Sequence, residues 1–303
     1  MEHVEAYTDF LMSKAAPQRP LKVVADCSNG PASIVAASLA RKLAVGSRVG
    51  QPVVLVPMND AIDPDFPAHG PDPSDPRAMT AIGAKVVAER ADFGVVFDGD
   101  GDRAVFVDEN GLPIPSYAVA GFLAEHLPGP HVADTLVYQA LAHIDPFFRT
   151  ALTCSRVGRY YLNKALRENA AAVGAEFSGH YYFRDFFGAD SAEYALMAMI
   201  DLISRRPEPV SALFSRYACH SVVSIKAEFD KELGAAIAAV KERLSRLEKP
   251  VEATYGDGLT LDFGDAWVNL RPSNTEPILR ITAGAKDPIL AEGLAREYAA
   301  LLA

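Results

Sequence analysis

Short apolar runs recur along the chain, and most are followed by a longer stretch of helical periodicity. Residues 21–25, "LKVVA", read as a buried strand that ends in the turn-rich "DCSNGPAS" and leads into a helix through "IVAASLARKL". "PVVLV" (52–56) predicts a second strand, a Pro-dense loop follows, and a helical segment runs from about Arg77 to Arg90. "FGVVF" (93–97) is the third strand. Apolar runs alternating with helical patterns imply a mostly parallel sheet covered by helices.

The pattern then repeats. A helix is expected over Ser116–His126, strands in "ADTLVYQAL" and "ALTCS", a helix over Gly158–Asn169, a strand and loop in "GAEFSGHYYF", and a helix over Asp190–Ser204. "RRPEPVSALF" reads as a linker, because its two prolines interrupt a helix. Beyond it the order changes to strand (219–226), helix (230–247), strands (259–263, 266–270, 278–283) and a last helix (287–302). The expected fold is two α/β three-layer domains with mixed or mostly parallel sheets (1–110 and 111–208), followed by a C-terminal α+β domain (209–303).

Composition narrows the function. The 303 residues carry a net charge of −10 with both signs interspersed, which argues against a nucleic-acid surface. It leaves room for a small anionic ligand, since a few local arginines and helix N-termini can bind phosphate. No apolar stretch reaches the ~20 residues a membrane span needs, and the first residues show no signal-peptide pattern. Three widely spaced cysteines indicate neither a disulfide framework nor a CxxC metal site. A cytoplasmic protein is the expectation.

The candidate chemistry lies in three loops. "DGDGDR" (98–103) follows the third strand and sets Asp98, Asp100 and Asp102 at alternate positions. Carboxylates this close raise each other's pKa unless a cation offsets the repulsion, and a Mg²⁺ site with a position left for a phosphate oxygen suits them. An EF-hand start is the alternative, with Glu109 at the twelfth position. Arg103 then stands at the sixth, where the turn needs Gly, and a strand over 104–107 carries Glu109 away at ~3.3 Å per residue. A plain solvated turn is the other alternative. "GAEFSGH" (174–180) places Glu176, Ser178 and His180 at alternate positions, suited to sugar hydroxyls or to one solvated strand face. "RPSNTEP" (271–277) packs Arg271, Ser273, Asn274 and Thr275 into a Pro-bounded turn, a phosphate nest or a plain capping turn.

Taken in this order, the three loops resemble those of the α-D-phosphohexomutases, the phosphomannomutase/phosphoglucomutase family. In that family a D-G-D-G-D-R loop binds Mg²⁺, a G-E-x-S-G-H loop holds sugar hydroxyls and an R-x-S-N-T-E-P loop holds the substrate phosphate. The resemblance implies Asp98, Asp100 and Asp102 as metal ligands and His180 and Arg103 in catalytic roles. It also implies Glu176, Ser178, Arg159, Arg271, Ser273, Asn274 and Thr275 as substrate contacts. The implied substrates are mannose or glucose 1- and 6-phosphates, exchanged through a 1,6-bisphosphate. Family members usually begin with a further domain bearing a phosphoserine loop of the T-A-S-H-N-P kind, and nothing of that kind precedes Asp98. Ser13 and Ser28 lack the surrounding pattern. The expectation is therefore a mutase served by a separate phosphoserine domain. A non-catalytic sugar-phosphate-binding protein and a sugar phosphatase are the alternatives. Ala175 stands where Gly is usual, a family Lys in "VADTLVYQAL" is absent, and Arg159 follows Gly158 at a helix start where it can contact phosphate or sugar.

Overall fold

The computed structural model describes residues 2–45, 51–228, 240, 242, 252–254, 256–273 and 278–301. Its first sheet has the order β2-β1-β3-β4-β5. β1 (Leu21–Asp26) lies between β2 (Val53–Met58) and β3 (Phe93–Phe97), parallel to both. β4 (Ala104–Val107) and β5 (Pro113–Ile114) extend the sheet antiparallel. Alternate residues of β1 point to opposite faces. Val23 and Ala25 join one core with Leu39 and Leu43 of the helix Ala32–Ala44. Val24 joins another with Ile82 and Val86 of the helix Pro76–Glu89. Burial on both faces is why β1 and β3 read as continuous apolar runs rather than alternating ones.

A second sheet, β7-β6-β8-β9, is built from β6 (His131–Asp134), β7 (Leu152–Ser155), β8 (Val173–Ala175) and β9 (Tyr181–Phe183). β6 is parallel to β7 and β8, and β9 turns back antiparallel. The helix Ala192–Ser204 is buried along its whole length. It packs into the same core as the first sheet, so the two sheets share one apolar interior.

The third sheet is wholly antiparallel, in the order β10-β14-β13-β12-β11. It comprises β10 (Ser221–Glu228), β11 (Glu252–Thr254), β12 (Leu259–Asp262), β13 (Ala266–Pro272) and β14 (Ile278–Ala285), with the helix Pro288–Ala300 against β10 and β14. It has its own core around Val268, Leu270, Ile281 and Tyr298. Trp267 of β13 departs from that core and inserts into the shared one, where its Nε1 donates to Nε2 of His220 at 3.1 Å.

Two sequence expectations change. "ADTLVYQAL" is strand only up to Asp134 and helix from Thr135 to Ile144. The Asp134 carboxylate accepts the Val137 N–H at 2.8 Å and so caps that helix, which lets the chain turn out of the sheet there. The expected linker holds a short helix, Val210–Phe214, starting directly after Pro209. The helix expected over 230–247 lies outside the described residues apart from residues 240 and 242. Among the described residues no helix is long and apolar enough to cross a membrane.

Candidate functional site

The first two loops meet where the sheets meet. β3 and β4 form a hairpin whose tip is residues 98–103, and the tip is tied to residues 179–180 by the Ala104 N–H donating to the Gly179 carbonyl at 3.0 Å. Gly179 has φ of 93°, the left-handed region that glycine enters without strain, and this lets its carbonyl turn back onto β4.

Within the tip, Asp98 is fully buried at the end of β3. One carboxylate oxygen accepts the N–H groups of Gly101 and Arg103 at 3.0 and 2.9 Å, and the other accepts Arg103 Nε at 2.6 Å. Burial still raises its pKa against these bonds. Asp100 is exposed and Asp102 half-buried. One oxygen from each of the three aspartates lies within 4.8 Å of the others. Three converging carboxylate oxygens fit a hard divalent cation. Burial of Asp98 overturns the reading of 98–103 as merely a solvated turn. Glu109 accepts the Ser211 N–H at 2.9 Å and belongs to no acidic group around the tip, which removes the EF-hand alternative.

Asp102 faces the second loop. Its Oδ1 is 3.1 Å from His180 Nε2, and its Oδ2 is 2.6 Å from Arg159 Nη2. The His180 hydrogen bond is the main reason its pKa falls to about 2. The other His180 nitrogen, Nδ1, lies 3.1 Å from Glu176 and 2.8 Å from Ser178 Oγ. Burial pushes the imidazole down, but the two carboxylates outweigh it and raise the pKa to about 9. His180 is thus a cation clamped between two acids, with side-chain partners rather than the backbone bonds of an ordinary loop histidine. Glu176 is 5 % exposed and takes further bonds from the Gly158 N–H, Ser178 Oγ and Tyr182 OH, so it organises the loop from within. Arg159 opens the helix Arg159–Glu168 and bridges Asp102 to Asp190, 2.8 Å away.

The third loop reaches the same space. A cavity of about 740 Å³ is lined by Arg103 from the first loop, Ser178 from the second and Arg271 from the end of β13. Arg271 has a buried Nε with no hydrogen-bond partner among the described residues. The Ser273 N–H donates to the Ile278 carbonyl at 2.9 Å, joining the ends of β13 and β14. Asn274 and Thr275 lie outside the described residues.

Sequence reasoning did not single out three further groups lining this cavity. Lys226 on β10 and Arg280 on β14 are opposite each other in the sheet, and Arg280 is opposite Arg271, which makes a row of three cations across neighbouring strands. Guanidinium and ammonium groups of this kind are the chemistry that recognises phosphate. Asp134 is 1 % exposed and accepts the N–H groups of Val137 and Phe177 at 2.8 Å, while burial lifts its pKa to about 7. Each cation is the one basic residue of its strand, so only strand pairing brings them together. For Asp134 a signal existed: Asp followed by Thr at the start of a helical period.

Three models of the phosphoglucomutase/phosphomannomutase family match the chain. Alpha/beta/alpha domain II matches residues 1–111, alpha/beta/alpha domain III residues 119–219, and the C-terminal domain residues 225–301. A phosphohexose mutase of Xanthomonas campestris is 30 % identical over all of this chain and 66 % of its own length. A phosphomannomutase of Salmonella typhimurium is 30 % identical over 98 % of this chain and 66 % of its own. A phosphoglucomutase/phosphomannomutase family protein from Burkholderia thailandensis superposes with a TM-score of 0.82 at 26 % identity, over 99 % of this chain and 64 % of the solved one. The fold also resembles that of Aspergillus fumigatus N-acetylphosphoglucosamine mutase, with a TM-score of 0.67 at 16 % identity over 98 % of this chain and 68 % of that one. The chain spans about two thirds of the length of the curated relatives it matches.

Proposed function

The chain belongs to the phosphoglucomutase/phosphomannomutase family, and on that premise we propose that it binds hexose phosphates and takes part in interconverting mannose or glucose 1-phosphate and 6-phosphate. One observation supports this most: Arg103, Ser178 and Arg271, one from each loop, line a single cavity. Asp98, Asp100 and Asp102 would hold Mg²⁺, which when bound offsets charge on a phosphoryl group in transfer. Arg271, with Ser273, Asn274 and Thr275, grips the phosphate that is not reacting, and Lys226 and Arg280 add positive potential beside it. Ser178 meets the sugar hydroxyls, and Glu176 fixes Ser178 and His180 in place.

In the metal-free site Asp102 and Glu176 raise the His180 pKa to about 9, and in this reading His180 serves as a proton donor toward sugar oxygen. Arg103, bonded to Asp98 through Nε, presents its guanidinium beside the reacting group, and Arg159 stands by as a second cation. The phosphoryl donor in this reading is a phosphoserine outside these 303 residues, which hold no T-A-S-H-N-P-type loop.

Phosphorus NMR tests the proposal. The chain is mixed with Mg²⁺, glucose or mannose 1-phosphate and catalytic hexose 1,6-bisphosphate, with and without a separately made serine domain. Appearance of the 6-phosphate, dependent on that domain, is the expected result. Release of free phosphate would make the protein a phosphatase, and binding without turnover in both mixtures would make it a sugar-phosphate-binding protein.

A further inference from the structure

Beneath the acidic hairpin tip lies a buried polar group that the mechanism above does not use. Asp26, the last residue of β1, is fully buried, and His69, from the Pro-dense loop, is 3 % exposed. Asp26 Oδ1 accepts the Ser28 N–H at 2.9 Å and Asn59 Nδ2 at 3.0 Å. Its Oδ2 accepts Asn59 Nδ2 at 2.9 Å and faces His69 Nε2 at 3.1 Å. The Asp26 oxygen accepts in this pair, with His69 donating from Nε2. Its Nδ1 is left buried with no partner among the described residues. One carboxylate therefore gathers three chain segments: the turn after β1, the end of β2 and the loop at residue 69.

Two of those segments form the walls of the acidic tip. On one side, a methyl group placed on Gly30 would sit 2.7 Å from the Gly99 carbonyl, and Gly101 lies against Ala32. On the other side, the Gly99 N–H donates to the Pro71 carbonyl at 2.9 Å, and a methyl on Gly99 would meet Pro71 and Phe66. The first wall is itself held in an unusual conformation, since Ser28 and Asn29 have φ of 50° and 57°. Left-handed backbone at two consecutive non-glycine residues persists only where its surroundings impose it, and the Asp26–Ser28 bond is such an imposition. Asp26 sits at the carboxyl end of its strand, where open α/β sheets carry their ligands.

We infer that Asp26 and His69 are positioning residues for the metal site: they lock the walls on both sides of residues 98–102, so that Asp98, Asp100 and Asp102 converge before a cation arrives. The inference rests on the metal reading of that loop. Partners one shell beyond a metal's ligands typically set its affinity by about 10–100-fold, and this pair does so through backbone rather than by bonding the ligands.

The experiment measures Mn²⁺ and Mg²⁺ affinity, by electron paramagnetic resonance of free Mn²⁺ and by calorimetry, in the full chain and three variants. Asp26→Asn keeps the shape but turns an acceptor into a donor that clashes with its neighbours, and His69→Gln removes the ring. Val86→Ala opens the core on the other face of the first sheet, and serves as the control for lost stability alone. The expected result is a dissociation constant raised about tenfold or more in Asp26→Asn and His69→Gln, with folded circular dichroism retained, and an unchanged constant in Val86→Ala. Unchanged affinity in folded Asp26→Asn and His69→Gln overturns the inference while leaving the metal site standing. An equal loss in Val86→Ala overturns it too, because general destabilisation then explains the effect. Wild type that binds neither ion overturns both the metal reading and the inference built on it.

Discussion

His180 offers the sharpest quantitative test of the site's electrostatics. Its side chain is 19 % exposed, so solvent screens its two carboxylate contacts only weakly. Moving its pKa from 6.5 to about 9 on folding corresponds, at about 1.36 kcal/mol per pH unit, to about 3 kcal/mol favouring the folded, protonated form. A raised histidine pKa contributes fully below its unfolded value and is lost as pH rises through the folded one. The contribution is therefore complete below 6.5 and gone above about 9. In the presence of chelator, wild type and His180→Gln are unfolded with urea at pH values on either side of that window. The stability gap between them should narrow by about 3 kcal/mol from the lower pH to the higher. Titrating groups that do not touch His180 are common to both proteins and cancel, while Asp102 and Glu176, whose carboxyls His180 holds low, lose that partner in the variant. An imidazole NMR titration, with His180 assigned from the variant, gives the midpoint without assuming two-state unfolding, which a chain of three sheets need not obey. A gap that does not change with pH, or a midpoint at or below 6.5, would refute the clamp between Asp102 and Glu176.

Two other outcomes follow from the geometry. Arg271→Ala should weaken glucose 1-phosphate binding by about 1.5–3 kcal/mol, the worth of a charge-assisted hydrogen bond, while calorimetry shows Mg²⁺ affinity unchanged. His220 runs opposite to His180: burial depresses its pKa to about 4, and Trp267 Nε1 requires an unprotonated Nε2. Its contribution is present above 6.5 and is lost as pH falls toward 4. His220→Gln should therefore flatten the acid side of a stability–pH curve, and an unchanged acid limb would contradict this.

Much of the fold was legible because β3 is an uninterrupted apolar run, β1 is apolar apart from Lys22 and its terminal Asp26, and the helices between them keep a 3.6-residue period. The matched loops were legible because each packs its polar residues into a few consecutive positions. What escaped has a different physical origin. β5 and β9 are two and three residues long, too short for any period to register. "ADTLVYQAL" suits a strand by pattern because it is apolar and β-branched near its start, yet Thr135–Ile144 is helix. The Asp134 cap decides the matter, and a cap is one residue. Asp26 and His69 are 43 positions apart, and Lys226 and Arg271 lie on strands separated by β14. Their meeting is a property of strand order, which local pattern does not encode. Glu176 illustrates a further limit: sequence spacing groups it with Ser178 and His180, but does not reveal that it is buried and bonded to them.

The central claim is that the acidic tip and the Arg271 turn act on one ligand. Calorimetric titration of glucose 1-phosphate, with and without Mg²⁺, into wild type and Asp98→Asn tests it most directly. The account predicts that Mg²⁺ tightens sugar-phosphate binding to wild type and that Asp98→Asn abolishes the tightening. Equal affinity with and without Mg²⁺, or the same response in both proteins, would show that the two loops serve separate ends.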